Sequence, residues 1–123
     1  MEHEQLTERI IGAAMKVHSA LGPGLLERAY HACLLRELEK QDFSVSSEVM
    51  LPLEYEGETI DAGFRMDLLV EDSVIVELKS VEKTLPIHEA QLITYLKLSG
   101  KKVGLLINFN VSHLKDGITR RFN

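Results

Sequence analysis

Cysteine is nearly missing from this 123-residue sequence: Cys33 stands alone, so no internal disulfide can form and a reducing, cytoplasmic setting is expected. Its helical, apolar neighbourhood gives the thiol a buried packing role. No apolar run approaches the roughly 20 residues that a membrane-spanning helix needs. The opening stretch MEHEQLTERI is acidic and polar, unlike a signal peptide. His18, His31 and His113 do not stand at zinc-site spacing with Cys33, which argues against a zinc centre. A phosphate-binding Gly-rich loop and a serine nucleophile elbow are both absent. So are repeats, low-complexity segments and linkers, and the length suits one domain, residues 1–123.

Positive charge is scarce as well. The net charge is −5, which argues weakly against a general nucleic-acid binder. Residues 101–123 reverse the balance, with Lys101, Lys102, Lys115, Arg120 and Arg121 against Asp116 alone. These five are the candidate substrate contacts, since a basic end on an acidic body can meet a polyanion. A solvated terminal surface accounts for them equally well.

What is present is strong periodicity. Leu6, Ile10, Ala13, Val17 and Leu21 predict an amphipathic helix over 6–21, stopped by Gly22-Pro23-Gly24. Leu26, Tyr30, Leu34 and Leu38 predict a second helix over about 25–40. Residues 43–60 and 64–70 read as β, with Pro52 marking an edge or bend and Glu56-Gly57 a turn. A third helix is expected over 86–99, with Pro86 in its first turn and Gly100 at its C-terminal cap. A buried strand follows at 102–109, and a short helix near 112–119. The order helix, helix, three strands, helix, strand allows one parallel crossover after antiparallel hairpins. It predicts an α/β (α+β) domain with a mixed sheet flanked by helices.

The chemistry concentrates in FRMDLLV and VIVELKS. A three-residue loop at 71–73 would set Val70 against Val74, Asp67 against Glu77 and Arg65 against Lys79. The even-numbered face is then wholly apolar, while the odd face carries Arg65, Asp67, Leu69, Ile75, Glu77 and Lys79, so one face is expected to be core and the other to hold a polar cluster. Two directly opposed carboxylates destabilise a sheet unless a cation lies between them. An all-oxygen site favours Mg²⁺ or Mn²⁺. Lys79, on the same face as Glu77, can then reach a water or a phosphate. An ordinary Glu77–Lys79 salt bridge with Asp67 in solvent is the plain alternative. Glu27, His88, Gln91 and Tyr95 are further polar candidates. Each has an ordinary reading too: Glu27 as a first-turn acid, Tyr95 as core, Gln91 and His88 as surface. Gln91 and Tyr95 lie one turn apart on one helix face. His18, His31 and His113 carry no such signal.

Together these residues resemble a known family. Asp67 followed by Glu77-Leu78-Lys79 is similar to the bipartite motif of the PD-(D/E)xK nuclease superfamily, and GLLERAY, Gly24 to Tyr30, to the signature of its GxxExxY family. The stretches HSALGPGLLERAY, EAQLITYLKLSGKKVGLLINF and LKDGITRRF extend the resemblance over nearly the whole chain. Met66 stands where the superfamily's name has Pro, a position that is not a ligand. The resemblance implies a restriction-endonuclease-like αβββαβ core with an extra N-terminal helix. It implies a nuclease in which Asp67 and Glu77 bind Mg²⁺ (or Mn²⁺), with Glu27 as a further acidic ligand. Lys79 would activate or position the attacking water, and Gln91 and Tyr95 would orient site groups or contact substrate. DNA is expected ahead of RNA, and a homodimer or a partner protein would supply substrate choice. The alternative is a catalytically silent interaction or regulatory module on the same fold.

Overall fold

A computed structural model describes residues 1–123. Helix α1 (His3–Leu21) buries Leu6, Ile10, Ala13, Ala14 and Val17 along one stripe. Gly22, at φ 68°, ends it and returns its N–H to the His18 carbonyl. Helix α2 (Glu27–Lys40) buries Tyr30, Leu34 and Leu38. Leu26, expected in that stripe, is 65% exposed, because the chain is still extended there and the helix starts one residue later. Cys33 is also exposed rather than buried. It stands about 100° around the helix from Leu34, off the stripe that meets the sheet.

Five strands form the main sheet in the order β1-β4-β5-β6-β7. They are β1 (Val45–Met50), β4 (Arg65–Val70), β5 (Val74–Lys79), β6 (Val103–Asn108) and β7 (Ile118–Phe122). Helix α3 (Pro86–Ser99) makes the crossover from β5 to β6, the one parallel pair. Pro86 opens α3, and Gly100 closes it in the left-handed conformation at φ 75°. β1 is an edge strand that ends before Pro52, and a separate hairpin, β2 (Leu53–Tyr55) with β3 (Glu58–Ile60), turns at Glu56-Gly57. The short helix expected near 112–119 is instead a 3-10 turn at Leu114–Gly117 that leads into β7. Gly117 interrupts any helix there, and β-branched Ile118 and Thr119 suit a strand. No helix is long and apolar enough to cross a membrane.

The sheet separates two cores. Leu68, Val70, Val74, Val76 and Leu78 pack with α1, α2 and the β6 residues Val103, Leu105 and Ile107. On the other face Leu69, Ile75 and Leu106 pack under Leu92, Tyr95 and Leu96 of α3. The odd-numbered face of the β4–β5 hairpin is therefore half core, and its polar residues occupy one end only. The alternation itself breaks on β1 and β4. Val45 and Leu68 belong with the first core, Val49 and Met66 with the second. Glu48 and Asp67 lie between the pairs Ser47–Leu68 and Val49–Met66, and Glu48 has a positive φ of 53°. This break turns Met66, expected with the even face, toward α3.

Two glycines set the spacing of these layers. A Cβ on Gly104 would meet Cδ1 of the fully buried Leu92 at 2.6 Å, and one on Gly117 would meet the Asn108 carbonyl oxygen at 2.2 Å. Gly104→Ala is expected to cost about 1–3 kcal/mol by overpacking. Gly117→Ala should cost more, because main chain yields less than a leucine tip. Urea denaturation of both variants checks the order.

Candidate active site

The β4–β5 hairpin has the register expected from its alternation: Val70 pairs with Val74, Leu69 with Ile75 and Leu68 with Val76. The backbone ladder stops there, one position short of Asp67 and Glu77. Side chains take over its hydrogen bonds. The Asp67 N–H donates to Glu77 Oε2 at 2.8 Å, and the Leu78 N–H donates to Asp67 Oδ2 at 2.8 Å. Each carboxylate thus accepts a main-chain proton from the opposite strand, with its second oxygen outside that bond. Lys79 follows as the last residue of β5.

Burial makes this arrangement electrostatically expensive. Glu77 is only 4% exposed. Its pKa is pushed up to about 8, first by burial and then by the charge of Asp67. Asp67 is raised as well, mainly by burial, against the lowering effect of the Leu78 N–H. Glu27 is raised by burial and drawn back by the Lys79 ammonium, its strongest charged neighbour. The Tyr95 phenol is raised by burial and then by the charges of Glu77 and Asp67, so α3 borders the same cluster.

The turn before α2 explains how Glu27 arrives here. The Tyr30 hydroxyl donates to the Gly22 carbonyl at 2.6 Å and accepts the Leu25 N–H at 3.1 Å. Its fully buried ring stacks on Phe109, with centroids 4.5 Å apart. The tyrosine three residues after Glu27 therefore clamps the turn that launches the helix. Ser80 Oγ donates to the Leu25 carbonyl, tying this turn to the residue after Lys79. Asn108, 3% exposed, donates to the Val81 carbonyl at 2.9 Å and accepts the Val81 and Asn110 N–H groups. It fixes the connection that leaves β5 toward α3.

Two residues join the cluster that the sequence reading passed over. Ligand atoms of His31, Glu48 and Asp67 all lie within 4.8 Å of one another. His31 Nδ1 is 3.7 Å from Glu48 Oε1, and Nε2 is 2.7 Å from Ser47 Oγ. In the tautomer that donates from Nε2 to Ser47, Nδ1 turns its lone pair toward Glu48. A signal for His31 was available, because Glu27 and His31 are i, i+4 on α2 and share a face. Glu48 gave none, since only the β1–β4 register and its positive φ bring it beside Asp67.

A family model described as the PD-(D/E)XK nuclease superfamily matches residues 4–121. The chain belongs to the PD-(D/E)XK nuclease superfamily. No curated protein and no solved structure matches it. As a member of this superfamily it presents Asp67, Glu77 and Lys79 at adjacent strand ends, with Glu27, His31 and Glu48 around them. The donor set of carboxylate oxygens and one imidazole fits a hard or borderline divalent cation, Mg²⁺ or Mn²⁺, with the imidazole leaning toward Mn²⁺. Asp67, Glu48 and His31 could hold it together, with the free oxygen of Glu77 alongside.

Gln91 and Tyr95 line a groove of about 400 Å³ that also includes Lys79. Of the basic residues of the C-terminal segment, Lys101 and Lys102 stand away from the carboxylates. β6 runs parallel to β5, so Asn108 lies beside Lys79 while Lys101 and Lys102 precede the opposite end, roughly 20 Å away. Lys101 is paired with Asp72 at 3.1 Å, and Arg121 with Glu89. Arg120 lies with His3 and Lys102 in a surface cavity, and Lys115 sits in the 3-10 turn.

Two outcomes follow from these contacts. The folded value of Glu77, about 8, exceeds its ordinary value of 4.5, so in that window the folded state holds a proton that the unfolded chain releases. The metal-free protein should therefore lose stability as pH rises from about 4.5 to about 8, and Glu77→Gln should remove most of that slope. Thermal melts in chelator across this range test the sign. Tyr30→Phe should cost about 1–3 kcal/mol in urea denaturation, because the Leu25 N–H and Gly22 carbonyl lose their shared partner.

Proposed function

We propose that this protein is a metal-dependent nuclease that hydrolyses phosphodiester bonds, in DNA ahead of RNA. The observation that carries the reading is the cross-strand fixing of Asp67 and Glu77 by main-chain amides, next to Lys79. Such fixing presents two carboxylate oxygens in one place without reorganisation, which suits electrostatic catalysis. A divalent cation, when bound there, supplies charge that neutralises a phosphate and makes water more acidic.

The chain's own groups divide the remaining work. Asp67, His31 and Glu48 would hold the cation, with Glu77 beside Asp67 as a further carboxylate. The Lys79 ammonium stabilises negative charge on the reacting phosphate or orients the attacking water. Glu27, whose strongest charged neighbour is Lys79, balances the charge of that ammonium and would add an acidic ligand at the rim. Tyr95 stays protonated at neutral pH, because its shift is upward, and serves as a hydrogen-bond donor at the border of the cluster. The similarity of GLLERAY to the GxxExxY signature supports the same reading of Glu27.

Calorimetric titration with Mn²⁺ should detect one site in the wild type. Asp67→Asn should abolish it, and His31→Ala should weaken it by about 10–100-fold. Lys79→Ala should keep Mn²⁺ binding and the fold but abolish cleavage of DNA. Cleavage at the wild-type rate by Lys79→Ala, or equal Mn²⁺ binding by Asp67→Asn, would refute the proposal. Intact Mn²⁺ binding with no hydrolysis of DNA or RNA would point to the silent regulatory module instead.

A further inference from the structure

The groove beside Lys79 has a composition that a phosphate-binding channel does not. Phe64, Ile87, Gln91, Thr94 and Tyr95 line it, and Lys79 is its only permanent cation. Its volume of about 400 Å³ falls within the range of roughly 300–1,000 Å³ typical of small-molecule sites. Phe64 and Tyr95 meet edge to face at 6.0 Å, which forms an aromatic wall. Ile87, on the first turn of α3, is 66% exposed, and Leu85 just before it is 52% exposed. Ile87 adds an exposed apolar side chain to the aromatic wall of the groove, a surface that an apolar ligand face can cover.

The polar groups of the groove suit the edge of such a ligand. On α3 the side chains bonded within the chain are His88, which accepts the Leu85 N–H at Nδ1, Glu89 with Arg121, and Ser99 with main chain. The Gln91 amide and the Thr94 hydroxyl keep their donors and acceptors free. With Nδ1 accepting, neutral His88 carries its proton on Nε2 as a further donor. An apolar wall, an amide, a hydroxyl and one ring N–H form the donor and acceptor pattern that reads a heteroaromatic ring. A charged backbone track would need several cations instead.

We infer that this groove receives an unpaired nucleobase of the nucleotide adjoining the phosphate held near Lys79, so that the preferred substrate is nucleic acid that is single-stranded at the cut. The inference rests on the nuclease reading and specifies its substrate class. Lys79 and Tyr95 line the groove and also lie within the electrostatic reach of Glu77 and Asp67, so one nucleotide can place its phosphate beside the carboxylates and its base in the groove. A paired base cannot enter, because its edge is occupied by its complement and its faces by the stack.

The test compares binding of a labelled duplex, the same duplex with an unpaired flap, and that flap made abasic. It uses fluorescence anisotropy at fixed salt, with Ca²⁺ in place of Mg²⁺. Wild type should bind the flap at least about fivefold more tightly than the duplex, from stacking of a single base, and the abasic flap should lose that gain. Ile87→Ser, an exposed change that leaves the core intact, and Gln91→Ala should each reduce the preference several-fold. Equal affinity for flap, abasic flap and duplex would overturn the groove assignment, while Mn²⁺-dependent cleavage of duplex in the same preparation would keep the nuclease reading. A flap preference with no cleavage of any substrate would do the reverse. Self-association broken by Ile87→Ser would give the groove to a second copy of the chain and also overturn the inference.

Discussion

The exchange of two backbone bonds for two carboxylate bonds between β4 and β5 governs this structure. A regular antiparallel ladder would continue from Leu68–Val76 to the next pair. Here Asp67 and Glu77 occupy that position, and each takes an amide proton that a carbonyl would otherwise accept. The bonds offset part of the cost of burying two acids side by side. They do not offset all of it, since Glu77 still holds its proton to about pH 8. The remaining cost is the physical reason to expect a cation: the site is least stable when fully ionised and empty.

Several features far from the acids exist to keep that end of the sheet open and defined. Helix α3 closes over Leu69, Ile75 and Leu106 at one end of the β4–β5 face, and its Tyr95 borders the charges. Gly104 lets α3 sit close enough to do so. On the opposite side of the sheet, α2 must begin where Glu27 and His31 overhang the strand ends. Tyr30 secures that start by holding both ends of the preceding turn, and Phe109 secures Tyr30. Asn108 and Ser80 tie down the chain just after Lys79. The spacing of acid and aromatic in GLLERAY thus has a structural cause: one residue points to the site while the other anchors the turn that aims it.

The parts legible in the sequence were those set by local rules. Alternation in FRMDLLV and VIVELKS, with the length of the intervening loop, gave the hairpin register and so the opposition of Asp67 and Glu77. Pro86 and Gly100 marked the ends of α3. The parts that were not legible depend on contacts between distant segments. Glu48 reaches Asp67 only through the β1–β4 pairing, and nothing local to Glu48 announces its left-handed backbone. The second core was hidden because an odd-numbered face with four polar residues reads as a polar face, although Leu69 and Ile75 lie under a helix. Cys33 was misplaced because an apolar neighbourhood does not say which side of a helix meets the sheet. β7 was missed because five residues after a glycine carry too little periodicity to separate a strand from a short helix.

The distribution of charge bears on how such a protein would hold a polyanion. The chain is acidic overall, and two of the five cations in its basic C-terminal segment are engaged by Asp72 and Glu89. Lys101 and Lys102 lie toward the opposite end of the sheet from the carboxylates. Close to the acids, Lys79 is the one permanent cation of the adjoining groove. In the proposed nuclease reading, attraction at the phosphate would come from a bound cation together with Lys79, and further affinity from apolar and hydrogen-bonding contacts. Those contacts are short-ranged and weakly screened, whereas phosphate tracking by many lysines and arginines weakens steeply with salt. On that reading, a small acidic domain of this kind would select by what fits beside its cation site more than by the charge of its surface.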